Sequence, residues 1–169
     1  MKKEEYEEYI LNVPNFPKEG VMFKDMTPLL ENKLQALLDD FIKGHDNWDD
    51  VDVIIGIESR GFILGSALAA KLGKGFVPIR KKGKLPPPFL QEKYILEYGE
   101  DIIEMKQNNK MKKAVIIDDV LATGGTITAS MSLCERNNYD IQKIMMLINL
   151  TFLNDYKSQA NNLYSILEY

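Results

Sequence analysis

Apolar residues along the chain alternate between short continuous runs and longer stretches with helical spacing. The runs at 51–57 (VDVIIGI), 114–119 (AVIIDD) and 141–150 (IQKIMMLINL) are short and nearly all apolar, which predicts buried strands. Stretches with apolar residues three and four positions apart predict helices at 32–44, 61–73 and 126–138. This alternation of strands and helices predicts an α/β fold with a central, mostly parallel β-sheet flanked by helices.

The remaining segments give weaker signals. A short helix is expected at 3–11, and a loop at 13–20, which holds two prolines and a glycine. Further strands are expected at 75–79, where Pro78 indicates a strand end or an edge position, and at 94–99 and 163–169. Residues 81–93 carry three prolines and several charges and are expected to be irregular.

Length and composition are those of one globular domain. The chain has 169 residues, of which 45% are hydrophobic and 27% charged. One cysteine, Cys134, excludes an internal disulfide, and one histidine, His45, makes a His/Cys metal cage implausible. No apolar run is long enough to span a bilayer, and residues 1–10 lack the apolar core of a signal peptide, so a cytoplasmic protein is expected.

The charge distribution is uneven although the net charge is −4, which argues against a nucleic-acid partner. Residues 80–84 (RKKGK) hold four of the 21 Lys and Arg residues in five positions. A cluster of this kind is either a solvated loop or an anion site, and the composition alone leaves both open.

The most informative stretch is 115–126, VIIDDVLATGGT. Asp118 and Asp119 end a predicted parallel strand, so they should lie at the sheet edge where ligands bind, with side chains that diverge and need not repel strongly. The following loop enters a helix, and its glycines and free amides suit a phosphate. This loop consists of Ala122, Thr123, Gly124, Gly125 and Thr126. Together they suggest a ribose 5-phosphate site, and the alternative is an acidic strand end with a glycine turn and Thr126 as helix N-cap.

This stretch resembles the phosphoribosyl-pyrophosphate (PRPP) signature of the type I phosphoribosyltransferase family. The segments 13–30, 56–65, 77–86 and 94–99 are similar, in order and spacing, to the members of that family that use adenine, and the tail 164–169 also fits. The resemblance covers essentially the whole chain. It implies a single domain over 1–169 with a hood in 1–30 and a flexible lid loop at 82–99, assembled as a homodimer.

The resemblance also implies a reaction and the residues that serve it. Adenine would attack PRPP to give AMP and pyrophosphate, with Mg²⁺ held mainly by substrate and water and no protein metal ligand. Asp118 and Asp119 would hold the ribose. The pyrophosphate would be bound by Ser59, Arg60, Gly61, Arg80, Lys81 and Lys84, whereas Lys82 is expected to be solvated.

On the base side, the resemblance assigns adenine to the hood residues Met22, Phe23 and Lys24. It gives Glu97 the proton released by the base and places Tyr98 beside it as a second catalytic residue. The sequence departs from the family pattern at Lys24, where arginine is more usual. It departs again at 85–89, where LPPPF replaces a Pro-Gly-Pro step. Two other functions are weighed: transfer to a different purine or pyrimidine base, and a non-catalytic PRPP-binding regulator.

Overall fold

The computed structural model of the chain describes residues 1–16, 18–96, 99–156 and 162–169. They form two compact units, Met1–Gly44 and His45–Tyr169. The prediction of one domain over 1–169, with a hood in 1–30 and a lid at 82–99, stays a prediction.

The first unit contains two helices and a two-stranded antiparallel hairpin. Its elements in chain order are α1 (Lys3–Glu7), β1 (Leu11–Pro14), β2 (Met22–Asp25) and α2 (Thr27–Lys43). The predicted helix over 3–11 is therefore too long, and the predicted loop at 13–20 is wrong at its start, since β1 pairs with β2 from Leu11 opposite Asp25 to Pro14 opposite Met22. Pro14 is tolerated because it stands at the end of a strand that has one partner.

A buried carboxylate ties the start of this unit to α2. Asp40 is 8% exposed and accepts hydrogen bonds from the Tyr6 hydroxyl at 2.7 Å and the Lys43 ammonium at 2.7 Å. The amino group of Met1 also pairs with it. Burial alone would raise the pKa of Asp40, but these donors lower it to about 2.

The second unit is an α/β layer structure. After a 3₁₀ turn at Trp48–Asp50, its elements are β3 (Val53–Ile57), α3 (Arg60–Leu72), β4 (Gly75–Lys81), β5 (Phe89–Leu96), β6 (Gly99–Lys106), β7 (Lys112–Leu121), α4 (Gly125–Arg136), β8 (Tyr139–Asn149) and β9 (Leu163–Glu168). Across the described residues the sheet order is β5-β6-β4-β3-β7-β8-β9. The pairs among β4, β3, β7, β8 and β9 are parallel, and those of β6 with β4 and β5 are antiparallel. The predicted fold class is confirmed.

The central strands are buried because their sequences are apolar on both faces. Every residue of β3 is buried, and Ala114–Ile117 of β7 are buried beside it. The helix α3 ends at Gly73, which adopts a left-handed φ of 66° and closes the helix as its sequence predicts. Among the described residues, no helix combines the length and the apolar character needed to cross a membrane.

The sequence prediction is wrong within 81–93, where Phe89–Lys93 belong to strand β5 and not to an irregular segment. It also contains no strand for most of β6. β5 pairs with β6 along its whole length, from Phe89 opposite Lys106 to Leu96 opposite Gly99. The preceding prolines hide an alternation in which Leu90 and Tyr94 pack on the core.

Pro78 lies within β4, between two neighbouring strands in the sheet order. β6 pairs with β4 only at Arg80 and Lys81, so the part of β4 that holds Pro78 has its hydrogen-bonded partner on the β3 side. The prediction of an edge position therefore holds locally, although β4 is not an edge strand of the sheet.

Candidate active site

Two loops that follow adjacent parallel strands form the walls of one open cleft. β3 and β7 run side by side with Ile55 opposite Ile116, so both carboxyl ends lie at the same edge of the sheet. The cleft is lined by Glu58, Ser59, Arg60, Lys81, Asp118, Asp119, Val120, Ala122 and Thr126. The structure thus brings together residues predicted for pyrophosphate, ribose and 5-phosphate, which are scattered along the sequence.

The first turn of α3 approaches β7 so closely that only glycine fits at one contact. A Cβ added to Gly61 would lie 2.8 Å from Asp118 Oδ1 and 2.8 Å from the carbonyl oxygen of Ile117. A real Cβ atom is essentially never that close to an oxygen. Gly61 therefore sets how near the first turn of α3 comes to the carboxylates, in addition to its predicted place in the pyrophosphate loop.

Arg60 and the two aspartates lie close together at the carboxyl end of β7, and Asp119 is buried. Arg60 Nε lies 2.8 Å from Asp119 Oδ2, and the backbone N–H of Asp119 donates to Asp118 Oδ1 at 2.9 Å. Burial raises the pKa of Asp118 well above its ordinary value, and the charge of Asp119 raises it further. Burial also raises the pKa of Asp119, against the opposing effect of the Arg60 guanidinium. The expectation that the two carboxylates need not repel strongly stays a prediction.

The loop after β7 encloses a small pocket beside the cleft. The pocket has a volume of about 140 Å³ and is lined by Asp118, Val120, Leu121, Ala122, Thr123, Gly124, Gly125, Thr126, Ile127 and Met146. α4 begins at Gly125 with Gly124 as its N-cap, at a φ of 88°. Thr126 thus lies inside the helix, and the alternative reading in which Thr126 caps it is wrong. The position of the loop, at a helix start with free N–H groups, suits a phosphate-sized anion.

Glu58 organises the basic residues at the end of β4. Its Oε2 accepts a hydrogen bond from Arg80 Nε at 3.1 Å and another from the Lys81 backbone N–H at 2.7 Å. The Arg80 guanidinium also lies over the ring of Phe62, 5.6 Å from its centroid. Burial would raise the pKa of Glu58, but these hydrogen bonds and the charges of Arg80 and Lys84 lower it. Lys84 itself is exposed in the turn after β4.

The Lys81 ammonium is held by two residues of the β5–β6 hairpin. It donates to the Tyr94 hydroxyl at 3.0 Å and pairs with Asp101 Oδ2. Tyr94 and Asp101 are direct cross-strand partners, so the hairpin register places both beside Lys81. Burial would lower the pKa of Lys81, but the bonds to Asp101 and Tyr94 raise it.

Comparisons with known proteins agree on one family. The sequence model described as "Phosphoribosyl transferase domain" matches residues 26–157. The adenine phosphoribosyltransferase of Bdellovibrio bacteriovorus is 46% identical over 162 residues, which cover 95% of this chain and 96% of that protein. The chain belongs to the adenine phosphoribosyltransferase family.

Solved structures of adenine phosphoribosyltransferases support the same assignment. The crystal structure from Thermoanaerobacter pseudethanolicus superposes with a TM-score of 0.91 at 39% identity, covering 98% of this chain and 99% of that one. The Giardia lamblia enzyme, crystallised with 9-deazaadenine, also gives a TM-score of 0.91 at 33% identity, covering 100% and 98%. The family resemblance of the sequence is thus confirmed, and the roles of individual residues stay predictions.

The residues predicted for the base side of an adenine phosphoribosyltransferase are only partly described. Met22, Phe23 and Lys24 lie in β2 of the first unit. Met22 is 54% exposed, and the Phe23 ring packs edge-on against Phe16 at 5.1 Å between centroids. Glu97 and Tyr98 lie outside the described residues.

Sequence reasoning missed three polar residues of this site. Glu58 stands in the same ESRG stretch as Ser59 and could have been found there, because a carboxylate beside a basic cluster is a natural partner for it. Tyr94 and Asp101 could not, because their approach to Lys81 depends on the register of a hairpin whose first strand was predicted to be largely irregular.

Proposed function

We propose that the chain transfers the 5-phosphoribosyl group of PRPP to adenine. The bond from C1′ to the pyrophosphate oxygen breaks, and N9 of the base bonds to C1′. The proton of N9 passes to a base on the protein, and the products are AMP and pyrophosphate. The observation that carries the proposal is the single cleft in which Ser59, Arg60 and Lys81 face Asp118, Asp119 and the loop that starts at Ala122.

On the donor side, each wall of the cleft suits one part of PRPP. The pocket formed by the loop from Ala122 to Thr126 has the size and the helix-start position for the 5-phosphate. Asp118 and Asp119 at its rim offer acceptors for the two ribose hydroxyls. The turn at Ser59 follows β3 and would hold the pyrophosphate, whereas the phosphate loop follows β7. The group that leaves and the group that stays would therefore be held by different segments.

Departure of pyrophosphate puts negative charge on the leaving oxygens and positive character on the sugar. Arg60, Arg80, Lys81 and Lys84 are the cations we assign to the pyrophosphate charge, with Ser59 and Gly61 supplying backbone N–H groups. The buried carboxylate of Asp119, close to the sugar position, would favour the electron-poor C1′. Both effects are stronger in the transition state than in the bound substrate, as catalysis requires.

Mg²⁺ is the cofactor we expect, carried mainly by substrate and water. Among the described residues no group of three or more His, Cys, Asp or Glu side chains could hold a metal. Asp118 and Asp119 nevertheless fit this ion, because carboxylate oxygens are its preferred ligands and their raised pKa values would return toward normal beside a dication. When bound, Mg²⁺ would supply charge neutralisation of the diphosphate.

On the base side, we propose that Phe23 stacks on adenine and that the backbone of Met22 and Lys24 reads its amino edge. Glu97 would accept the N9 proton, with Tyr98 beside it. A carboxylate can do this if it is desolvated, which raises its pKa toward neutrality. These roles rest on the family resemblance of 13–30 and 94–99. A homodimeric assembly rests on the resemblance of the whole chain, and a cytoplasmic location rests on the composition of the sequence.

One assay separates this function from its alternatives. The protein is incubated with Mg²⁺ and PRPP together with adenine, hypoxanthine, guanine, xanthine or orotate, and nucleotide formation is followed. We expect AMP from adenine and little product from the other bases. A preference for another base would indicate the related transferase, whereas PRPP binding by calorimetry without any nucleotide would indicate the regulator.

A further inference from the structure

A side chain outside the cleft, Asn154, holds the loop to which we assign the 5-phosphate. Asn154 Nδ2 donates to the carbonyl oxygen of Ala122 at 2.6 Å and to that of Leu150 at 2.9 Å. Ala122 is the first residue of the loop, so this bond fixes the point where the chain leaves β7. An N–H donated to a loop carbonyl leaves the loop's own N–H groups available for an anion.

The same side chain also fixes a second contact with the loop. Asn154 Oδ1 accepts a hydrogen bond from the backbone N–H of Tyr156 at 3.1 Å. The Tyr156 ring then lies against Gly124, where an added Cβ would be 3.3 Å from the ring. Gly124 is the N-cap of α4 and has a φ of 88°. Asn154 thus holds two residues of the loop: Ala122 by a direct hydrogen bond, and Gly124 through the ring of Tyr156.

A second, fully buried amide, that of Asn149, contacts the Asn154 side chain. Asn149, at the end of β8, is 0% exposed, and its Oδ1 lies 3.1 Å from Asn154 Nδ2. Within the described part of the chain, Asn149 Nδ2 has no hydrogen-bond partner. A buried unpaired donor costs about 1–3 kcal/mol, so this amide is poorly explained as a contribution to stability alone.

We propose that Asn154 is a positioning residue for the 5-phosphate, acting through the Ala122 carbonyl and Tyr156 to hold the loop in its binding shape. The inference rests on the proposed function, because it takes the loop as the site of the phosphate. Ligands that carry a 5-phosphate (PRPP, AMP and ribose 5-phosphate) need this shape, whereas pyrophosphate and adenine do not. Loss of the Asn154 amide should therefore weaken the binding of the ligands that carry a 5-phosphate and leave the binding of pyrophosphate and adenine unchanged.

The test compares Asn154→Asp and Asn154→Ala with the parent protein. Asn154→Asp keeps the size and the bond from Tyr156, but it places a carboxylate oxygen where the donor to Ala122 stood. We expect the Kd of ribose 5-phosphate and the KM of PRPP to rise about tenfold in this variant, from loss of one positioned hydrogen bond. The Kd of pyrophosphate and the kcat at saturating PRPP should change less than about twofold, well below the tenfold effect of that bond.

Thr151→Val is the matched control. Thr151 lies in the same segment and donates a side-chain hydrogen bond to the Tyr169 carbonyl at 2.7 Å, and among the described residues it makes no hydrogen bond to the loop. The Thr151→Val variant should lower the Tm as Asn154→Ala does and leave the Kd of ribose 5-phosphate unchanged.

Three results would overturn the inference. The first is an unchanged Kd for ribose 5-phosphate in Asn154→Asp. The second is an equal loss of affinity for all ligands that parallels the decrease in Tm in every variant. The third is a parent protein that binds no ribose 5-phosphate. A parent that binds it but forms no AMP from adenine would refute the proposed function and leave the loop inference standing.

Discussion

Replacing Gly61 with alanine should separate the two walls of the cleft without removing any functional group. The new Cβ would meet Asp118 Oδ1 and the Ile117 carbonyl, each at 2.8 Å, where ordinary contact begins at 3.4 Å. The Ile117 carbonyl belongs to the central strand β7 and cannot yield, so the first turn of α3 has to move by roughly half an ångström. Overpacking of this kind costs about 1–3 kcal/mol of stability.

The effect on activity should exceed the effect on stability. Moving the turn that holds Ser59 and Arg60 changes the distance between the pyrophosphate donors and the ribose carboxylates. A misplacement of this order costs about 10- to 100-fold in rate. We expect kcat/KM for PRPP to fall by that factor, measured by steady-state AMP formation well below the Tm of the variant.

Gly73→Ala is the control for stability. Gly73 ends the same helix with a φ of 66°, and an added Cβ there meets nothing within 4 Å. Alanine in this conformation costs about 1–2 kcal/mol, similar to the loss at Gly61 but at the far end of α3. If both variants lose kcat/KM equally, or if Gly61→Ala retains the parent value, the close approach of α3 to β7 does not set the catalytic geometry.

Three further predictions concern single groups. Asp40→Asn should lower the free energy of unfolding by about 2 kcal/mol at pH 7, because the pKa of Asp40 is about 2 in the folded protein and 3.8 in the unfolded chain. Urea unfolding should show that the difference between the two proteins shrinks as the pH falls from about 4 to about 2. A constant difference down to pH 2 would contradict the pKa. Asp101→Asn removes a bond that raises the pKa of Lys81, so an NMR titration of ¹³C-labelled lysine should find that pKa lowered, and an unchanged value would deny the pairing. Glu97→Gln should lower kcat about 100-fold or more with little change in the KM of PRPP, whereas full activity would remove Glu97 as the proton acceptor.

The parts of the fold that the sequence predicted are those with a local apolar signal. β3 and β7 are buried on both faces, so their residues show a continuous apolar run, and the helices between the strands show their spacing directly. The strand β5 was missed at Phe89–Lys93 because its stability comes from pairing with β6 and from packing of Leu90 and Tyr94 on the core. Three prolines just before it dominate the local pattern.

The candidate site also has features that could be predicted from the sequence and features that could not. The loops at 58–61 and 122–126 follow strands whose carboxyl ends could be predicted, so their arrival at one cleft follows from the parallel sheet. The partners within the cleft could not be predicted, because the pairing of Arg60 with Asp119 and of Lys81 with Asp101 depends on side-chain geometry between distant segments. The hydrogen bonds of Asn154 could not be predicted for the same reason, since this residue lies between the predicted strands at 141–150 and 163–169, in a segment to which the sequence pattern assigns no element.

Three of the four cations assigned to the pyrophosphate are already paired with carboxylates, and this has a consequence for the salt dependence of binding. Arg60 contacts Asp119, Arg80 contacts Glu58 and Lys81 contacts Asp101. A polyanion that binds here exchanges existing ion pairs for new ones, and salt screens both sets alike. A cleft of bare cations would attract PRPP strongly in dilute buffer and lose it steeply as salt is added. This cleft should instead hold its donor with nearly the same affinity in dilute buffer and at the salt concentration of a cell.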